Sequence, residues 1–265
     1  MASIQKINEN IFRTTMPYKD IFTTVYTLNT HNGAVLFDAG SFDSDVEEYI
    51  LPLLKEAGIS AEQLKYVFIS HNHKDHSGGL AALTEAFPQV RIVTGSATLR
   101  EKYGDDKVIC PSEGELLLDS FRFIPIPGHT IDSGALLDIR TDTLITGDCL
   151  QQQGICGSGD WASNIPYPAE HRQAVEKLRT LGAKQILTAH DYVPHGYRAD
   201  TEAEAAQMLD ACRTPLEHLA VLIKQNPTWE DAQIREAFSD SEKQLTINVH
   251  VVAAMRKAIE TGTWK

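Results

Sequence analysis

Long apolar runs are missing: nowhere do about 18 apolar residues follow one another, so no membrane-spanning helix is predicted. Positive charge is scarce as well. Lys and Arg number 24 against 36 Asp and Glu, a formal net charge of −12. A surface of that sign repels phosphate backbones and anionic lipid unless a basic stripe interrupts it. None does, which excludes general nucleic-acid and membrane-surface binding. Cysteine is sparse too, and Cys110, Cys149, Cys156 and Cys212 form no CxxC pair. That pattern fits reduced thiols rather than a disulfide framework, with a Cys149–Cys156 bridge as the remaining alternative. The opening MASIQKINEN carries neither a basic-then-apolar secretory pattern nor an arginine-rich amphipathic one, so a cytoplasmic location is expected. Repeats of solenoid length and low-complexity linkers are also absent.

What is present suffices for a large core: 265 residues, 42% of them hydrophobic, as expected for one α/β domain with a small appendage. Short β-rich runs open the chain at Ile11 to Thr15, Thr24 to Thr30 and Ala34 to Asp38, and Asn32-Gly33 signals a type I′ hairpin. Val46, Tyr49, Ile50, Leu53 and Leu54 then recur at helical spacing, with Pro52 bending the helix and Gly58 ending it. LKYVFIS, a helix over Leu80 to Ala86 and VRIVTG continue the alternation of strand and helix that argues for α/β packing. From Glu115 to Thr146, ELLLDSFRFIPIP, SGALLDI and DTLITG read as antiparallel strands, followed by a helix at Ala169 to Leu181 and the strand KQILTAH. Beyond about Ala199 the composition turns to Ala, Glu and Leu, with a capping-box match at Thr228 and Asp231 and a last helix from Leu245 to Ile259. The expected organisation is a main domain over 1–198 with a helical extension, 199–265, packed on it.

Chemistry concentrates in His71-Asn72-His73-Lys74-Asp75-His76, directly after the apolar strand LKYVFIS. Three imidazoles and one carboxylate at a strand exit can converge on a metal, because an irregular loop lets side chains point one way that a strand would splay. Neutral imidazole and carboxylate suit zinc, iron or manganese. His129 in IPIPGHT, Asp148 in TLITGDC and His190 in QILTAHD each also follow an apolar strand. One such residue is readily a surface histidine or a capping aspartate. Five His and two Asp at strand exits are not explained that way.

His71, His73, Asp75 and His76 match the HxHxDH motif of the metallo-β-lactamase superfamily, and His129, Asp148 and His190 match its later ligand positions in order and local context. The resemblance implies an α/β fold, an αββα metallo-β-lactamase sandwich with a C-terminal helical appendage and a binuclear centre at one edge. It implies that His71, His73 and His129 hold one metal, that Asp75, His76 and His190 hold the other, and that Asp148 bridges them. Asp38 in VLFDAG matches the early strand-end aspartate that supports ligands by hydrogen bonding. A bridging aspartate together with His76 resembles the glyoxalase II, lactonase and thioesterase branch more than the true β-lactamases.

The function implied is hydrolysis of an acyl bond, thioester or lactone/ester, in a small metabolite by a metal-bridging hydroxide. Two divalent ions are the expected cofactors, zinc first, with iron or manganese also accommodated. Asp75 would double as ligand and proton carrier, and Tyr192 would donate a hydrogen bond to a substrate oxygen, against the plainer reading of a packed tyrosine. The glycine-rich stretch Leu150 to Asn164 would shape the pocket mouth with Trp161 as an apolar wall, or serve as a connector. His31, His171, His195, His218 and His250 read as structural or surface residues, and Cys149 as a small buried side chain. Lys224, Arg213, Lys243 and Arg256 are the cations available in the helical extension, whose Ala and Leu stripes suit either a lid or a homodimer interface. Two other readings stay open: a mononuclear iron sulfur dioxygenase acting on a glutathione persulfide, and a binding module on an inert site.

Overall fold

The computed structural model describes residues 3–151, 164–192, 196–241 and 246–264. The chain divides into two compact units, one formed by 1–125 with 134–140 and the other by 126–133 with 141–265.

The first unit is built on a seven-stranded sheet in chain order: β1 (Ile4–Lys6), β2 (Ile11–Tyr18), β3 (Ile21–Thr30), β4 (Gly33–Phe37), β5 (Leu64–Ile69), β6 (Arg91–Thr94) and β7 (Val108–Ile109). Pairing is antiparallel from β1 to β4 and parallel from β4 to β7. The switch is dictated by the connections. Connections of two to four residues can only return the chain antiparallel, whereas the parallel strands are joined through α1 (Leu51–Glu56), α3 (Leu80–Ala86) and α4 (Ala97–Tyr103). α2 (Lys74–Ser77) is a single turn directly after β5. On one side of the sheet Ile50, Leu53, Leu83 and Leu99 bury Val25, Leu36, Val67 and Ile92 in one cluster. On the other an aromatic stack runs from Phe37 to Phe68 (5.1 Å between centroids) and on to Phe123 (6.0 Å). Phe123 belongs to a second antiparallel set, β8 (Leu116–Leu117), β9 (Phe121–Pro125) and β10 (Gly134–Asp138).

The second unit holds β11 (Thr143–Thr146), parallel to β12 (Gln185–Tyr192) across α5 (Pro168–Thr180), with β13 (Gly196–Ala199) antiparallel to β12. Its helices α6 (Glu202–Gln225), α7 (Asp231–Ser241) and α8 (Val249–Glu260) bury Leu219, Ile223, Phe238, Val252 and Met255 together. α6 is capped at its start: Thr201 Oγ1 accepts from the Glu204 N–H, and Glu204 Oε2 accepts at 2.7 Å from the N–H of Asp200, one residue before the cap. Among the described residues no helix is long and apolar enough to cross a membrane.

Several local expectations are corrected. The β3–β4 hairpin turns at His31-Asn32 without the positive φ that a type I′ turn requires, and Thr30 Oγ1 takes over by donating to Gly33 O and accepting from Asn32 N–H. Gly33 lies in the strand, where a Cβ would stand 2.7 Å from Lys65 Cγ. Ahead of Pro52 the backbone forms a widened π turn over Val46–Ile50, which closes with the Leu51 N–H on Val46 O, so the proline starts α1 instead of bending a continuous helix. The Thr228–Asp231 box is replaced by Gln233 Oε1 accepting from Glu230 N–H, while Asp231 binds Arg256 Nε at 2.9 Å. The last helix begins at Val249, and Leu245 lies outside the described residues. Sequence periodicity is silent on the short β1, β7, β13 and α4.

Backbone contacts lock α2 onto the loop after β4. Ala39 N–H donates to His76 O at 2.7 Å and Gly78 N–H to Gly40 O at 2.9 Å. A Cβ on Gly78 would overlap the Ser41 carbonyl oxygen, and one on Gly79 the Ala39 carbonyl oxygen. Gly78→Ala is therefore expected to lower unfolding stability by about 3 kcal/mol in urea titration, since backbone cannot yield as a side chain does. Gly58→Ala, with positive φ but open space around it, should cost about 1 kcal/mol. Equal losses would contradict the interlocked packing.

Candidate metal centre

Each unit carries its own set of imidazoles and carboxylates. In the first, β5 ends at Ile69 and delivers His71 and His73 in an irregular stretch, after which the α2 turn presents Asp75 and His76. His71 Nε2 and His73 Nδ1 stand 3.0 Å apart with their rings edge to face. His76 Nε2 lies 3.2 Å from Asp75 Oδ2, which also accepts the Thr23 hydroxyl at 3.0 Å. Behind them Asp38, wholly buried, accepts His76 Nδ1–H at 2.7 Å, Ser70 N–H at 2.8 Å and Ser70 Oγ–H at 3.0 Å. Burial pushes the Asp38 carboxyl up from its ordinary value, against the downward pull of His76 and Ser70. Its backbone adopts φ 64°, a conformation that aspartate tolerates better than most residues.

In the second unit His129 follows β9 and Asp148 follows β11, both at strand exits. His190 lies inside β12 rather than past it, in the stretch between Leu187 and Tyr192 where the β13 register shifts. Such an irregularity re-aims a side chain. Asp148 divides its two oxygens: Oδ1 is 3.1 Å from His190 Nε2 and Oδ2 is 3.6 Å from His129 Nε2. His129 Nδ1 donates to Asn164 O at 2.7 Å, and the Gln151 side chain lies 3.1 Å from the same nitrogen while accepting from Asn164 N–H.

These donor sets fit metal. Two ligands on a tetrahedral ion at ~2.0–2.1 Å stand roughly 3.3 Å apart. The pairs above span 3.0 to 3.6 Å, each with one imidazole nitrogen toward its neighbour. The opposite nitrogens of His76 and His129 are already bound to acceptors that fix ring orientation.

The other singled-out residues divide clearly. Tyr192 is 2% exposed, at the end of β12. Cys149 is buried and its thiol is pushed up to about 12. His171 is buried in α5, held down to about 4 and hence neutral. His218 stacks on Phe238, His250 meets Asn164 Oδ1, and His31 is exposed in its turn. Arg213 pairs with Glu217 at 2.9 Å and Arg256 with Asp231, so both cations serve the helices themselves. Lys224 ends α6, while Trp161, Cys156, His195 and Lys243 lie outside the described residues. Sequence reading missed Thr23, Gln151 and Asn164, whose contacts follow only from folding; Ser70, directly before His71, was open to notice.

Asp38→Asn keeps the tolerance for positive φ but removes the charge behind His76. It is expected to weaken zinc binding about 10- to 100-fold in competition with a chelating dye. The buried thiols give a separate check. Raised pKa values keep Cys149 and Cys212 protonated at pH 8, so iodoacetamide should modify exposed Cys110 and spare both until the protein unfolds. Peptide mapping that finds Cys149 labelled in the native state would contradict this.

Comparison with known proteins bears on this geometry. The sequence pattern described as "Metallo-beta-lactamase superfamily" matches residues 18–190. A hydroxyacylglutathione hydrolase of Photobacterium profundum is 26% identical over 235 residues, covering 81% of this chain and 87% of that protein. An atrochrysone carboxyl ACP thioesterase of Aspergillus fumigatus is 24% identical over 185 residues, 69% of this chain and 55% of the relative. Among solved structures, a metallo-beta-lactamase from Pontibacter korlensis shares the fold with a TM-score of 0.59 at 22% identity, over 79% of this chain and 99% of that one. With its two sheets, its helices and its sets of histidine and aspartate donors, the chain belongs to the metallo-beta-lactamase superfamily, whose members are mostly metal-dependent hydrolases.

Proposed function

We propose that this chain is a binuclear metal-dependent hydrolase of small acyl thioesters, with lactones and esters as the neighbouring substrate class. His71, His73 and His129 would hold one divalent ion, Asp75, His76 and His190 the other, and Asp148 would bridge the two. The observation that carries the binuclear reading is the Asp148 carboxylate, whose oxygens go separately to His190 and His129. Support for a thioester comes from the two relatives, named for acyl release from glutathione and from ACP.

Two ions held by these residues would supply an activated water near neutral pH and Lewis-acid polarisation of the acyl carbonyl. Everything else falls to the chain. Asp75, oriented by the Thr23 hydroxyl, accepts the proton of the attacking water and returns it to the departing thiolate sulfur, so that water and thioester become acid and thiol. Asp38 and Ser70 hold the rings of His76 and His71 in place, Ser70 Oγ lying 3.1 Å from His71 Nδ1. Zinc is the ion this reading favours, with iron and manganese chemically acceptable.

The test is proton release at fixed pH from protein reconstituted with zinc, manganese or iron, offered acyl thioesters and lactones side by side. Thioester turnover that His71→Ala abolishes is expected. Asp75→Asn should lower kcat by at least about 100-fold while losing far less metal, as removal of a proton carrier does. A rate that falls only in step with metal content would overturn the role of Asp75. Silence on both substrate sets, with oxygen uptake by the iron form, would overturn the hydrolase in favour of the sulfur dioxygenase.

A further inference from the structure

The segment entering α5 grips both loops from which the second unit's donors project. Asn164 O accepts from His129 Nδ1 at 2.7 Å. Three residues on, Tyr167 N–H donates to Gly128 O at 3.1 Å. One helical turn further, His171 Nε2 meets Cys149 O at 3.0 Å. A carbonyl oxygen can only accept, so Nε2 carries the proton.

His171 does more than fill space. Its ring is fully buried, and Nδ1 has no hydrogen-bond partner among the described residues. Packing alone would favour an apolar side chain here, because a buried nitrogen without a partner costs desolvation. The ring also lies so close to Gly128 that a Cβ there would stand 2.8 Å from His171 Cβ and 2.9 Å from Cδ2. His171 is thus wedged between residue 128, which precedes His129, and residue 149, which follows Asp148.

We propose that His171 is a positioning residue for the metal centre, fixing the backbone beside Asp148 through the Cys149 carbonyl and the backbone beside His129 through contact with Gly128. The inference rests on the metal assignment proposed above. Small displacements of ligand-bearing backbone are costly to a centre whose donors must converge, and the Nε2–H bond prevents them.

Two variants separate this role from mere packing. The amide nitrogen of His171→Gln reaches the place of Nε2, whereas that of His171→Asn reaches only the place of Nδ1. Cobalt(II) is titrated into full-length metal-free protein and followed by its visible absorption. The Gln variant should bind within about threefold of the unsubstituted protein with the same spectrum, and the Asn variant should bind about tenfold or more weakly with an altered spectrum. If the Asn variant does not fold, His171→Met, which lacks a donor, takes its place with the same expectation. Two variants that behave alike, whether both intact or both weakened, would overturn the proposal. Failure of the unsubstituted protein to bind cobalt(II) would instead defeat the metal assignment, so the two failures are distinguishable.

Discussion

The buried carboxylate of Asp38 is the constraint on which the first unit depends. It sits just past β4 with its own N–H on Phe68 O, and it gathers Ser70 N–H, Ser70 Oγ–H and His76 Nδ1–H. One side chain thereby fixes the end of β4 against the end of β5 and against α2. A carboxylate without solvent is tolerable only when its oxygens are occupied, and here three donors occupy them. Its left-handed backbone, followed by Gly40 at φ 74°, turns the chain back beneath Gly78 and Gly79. Strain at this turn and the burial of its charge are both sustained by the same set of hydrogen bonds.

The second unit reaches a similar end by other means. Behind His129 the backbone carbonyl of Asn164 holds Nδ1, with Gln151 beside it. The peptide that follows Asp148 is held by His171 through the Cys149 carbonyl, and the two Asp148 oxygens face His190 and His129. α5 makes this arrangement possible because Gly128 lets the helix come into contact with the loop.

How much of this was legible beforehand follows from the range of each interaction. The motif His71 to His76 and the helix of Leu53 and Leu54 are written in adjacent residues, and the apolar strand before His71 identifies its own exit. His129 and Asp148 stand past the strands that announced them, whereas His190 lies within its strand. Hydrogen bonds across distant sequence were not legible: Thr23 lies 52 positions from Asp75, and nothing in its β-rich surroundings distinguishes it from Thr24 or Thr27. His171 could be placed only as structural, since its partner is a carbonyl and carbonyls leave no trace in sequence. The Asn32-Gly33 turn failed for a local reason, a threonine hydroxyl competing with the glycine conformation.

The two supporting acceptors also differ in kind, and that difference reaches the electron density of the rings. His76 faces a carboxylate, which draws its Nδ1 proton strongly and leaves Nε2 rich in electrons, whereas His129 faces a neutral peptide oxygen. Imidazoles backed in these two ways are unequal bases. An ion held through His76 would therefore meet a stronger donor than one held through His129.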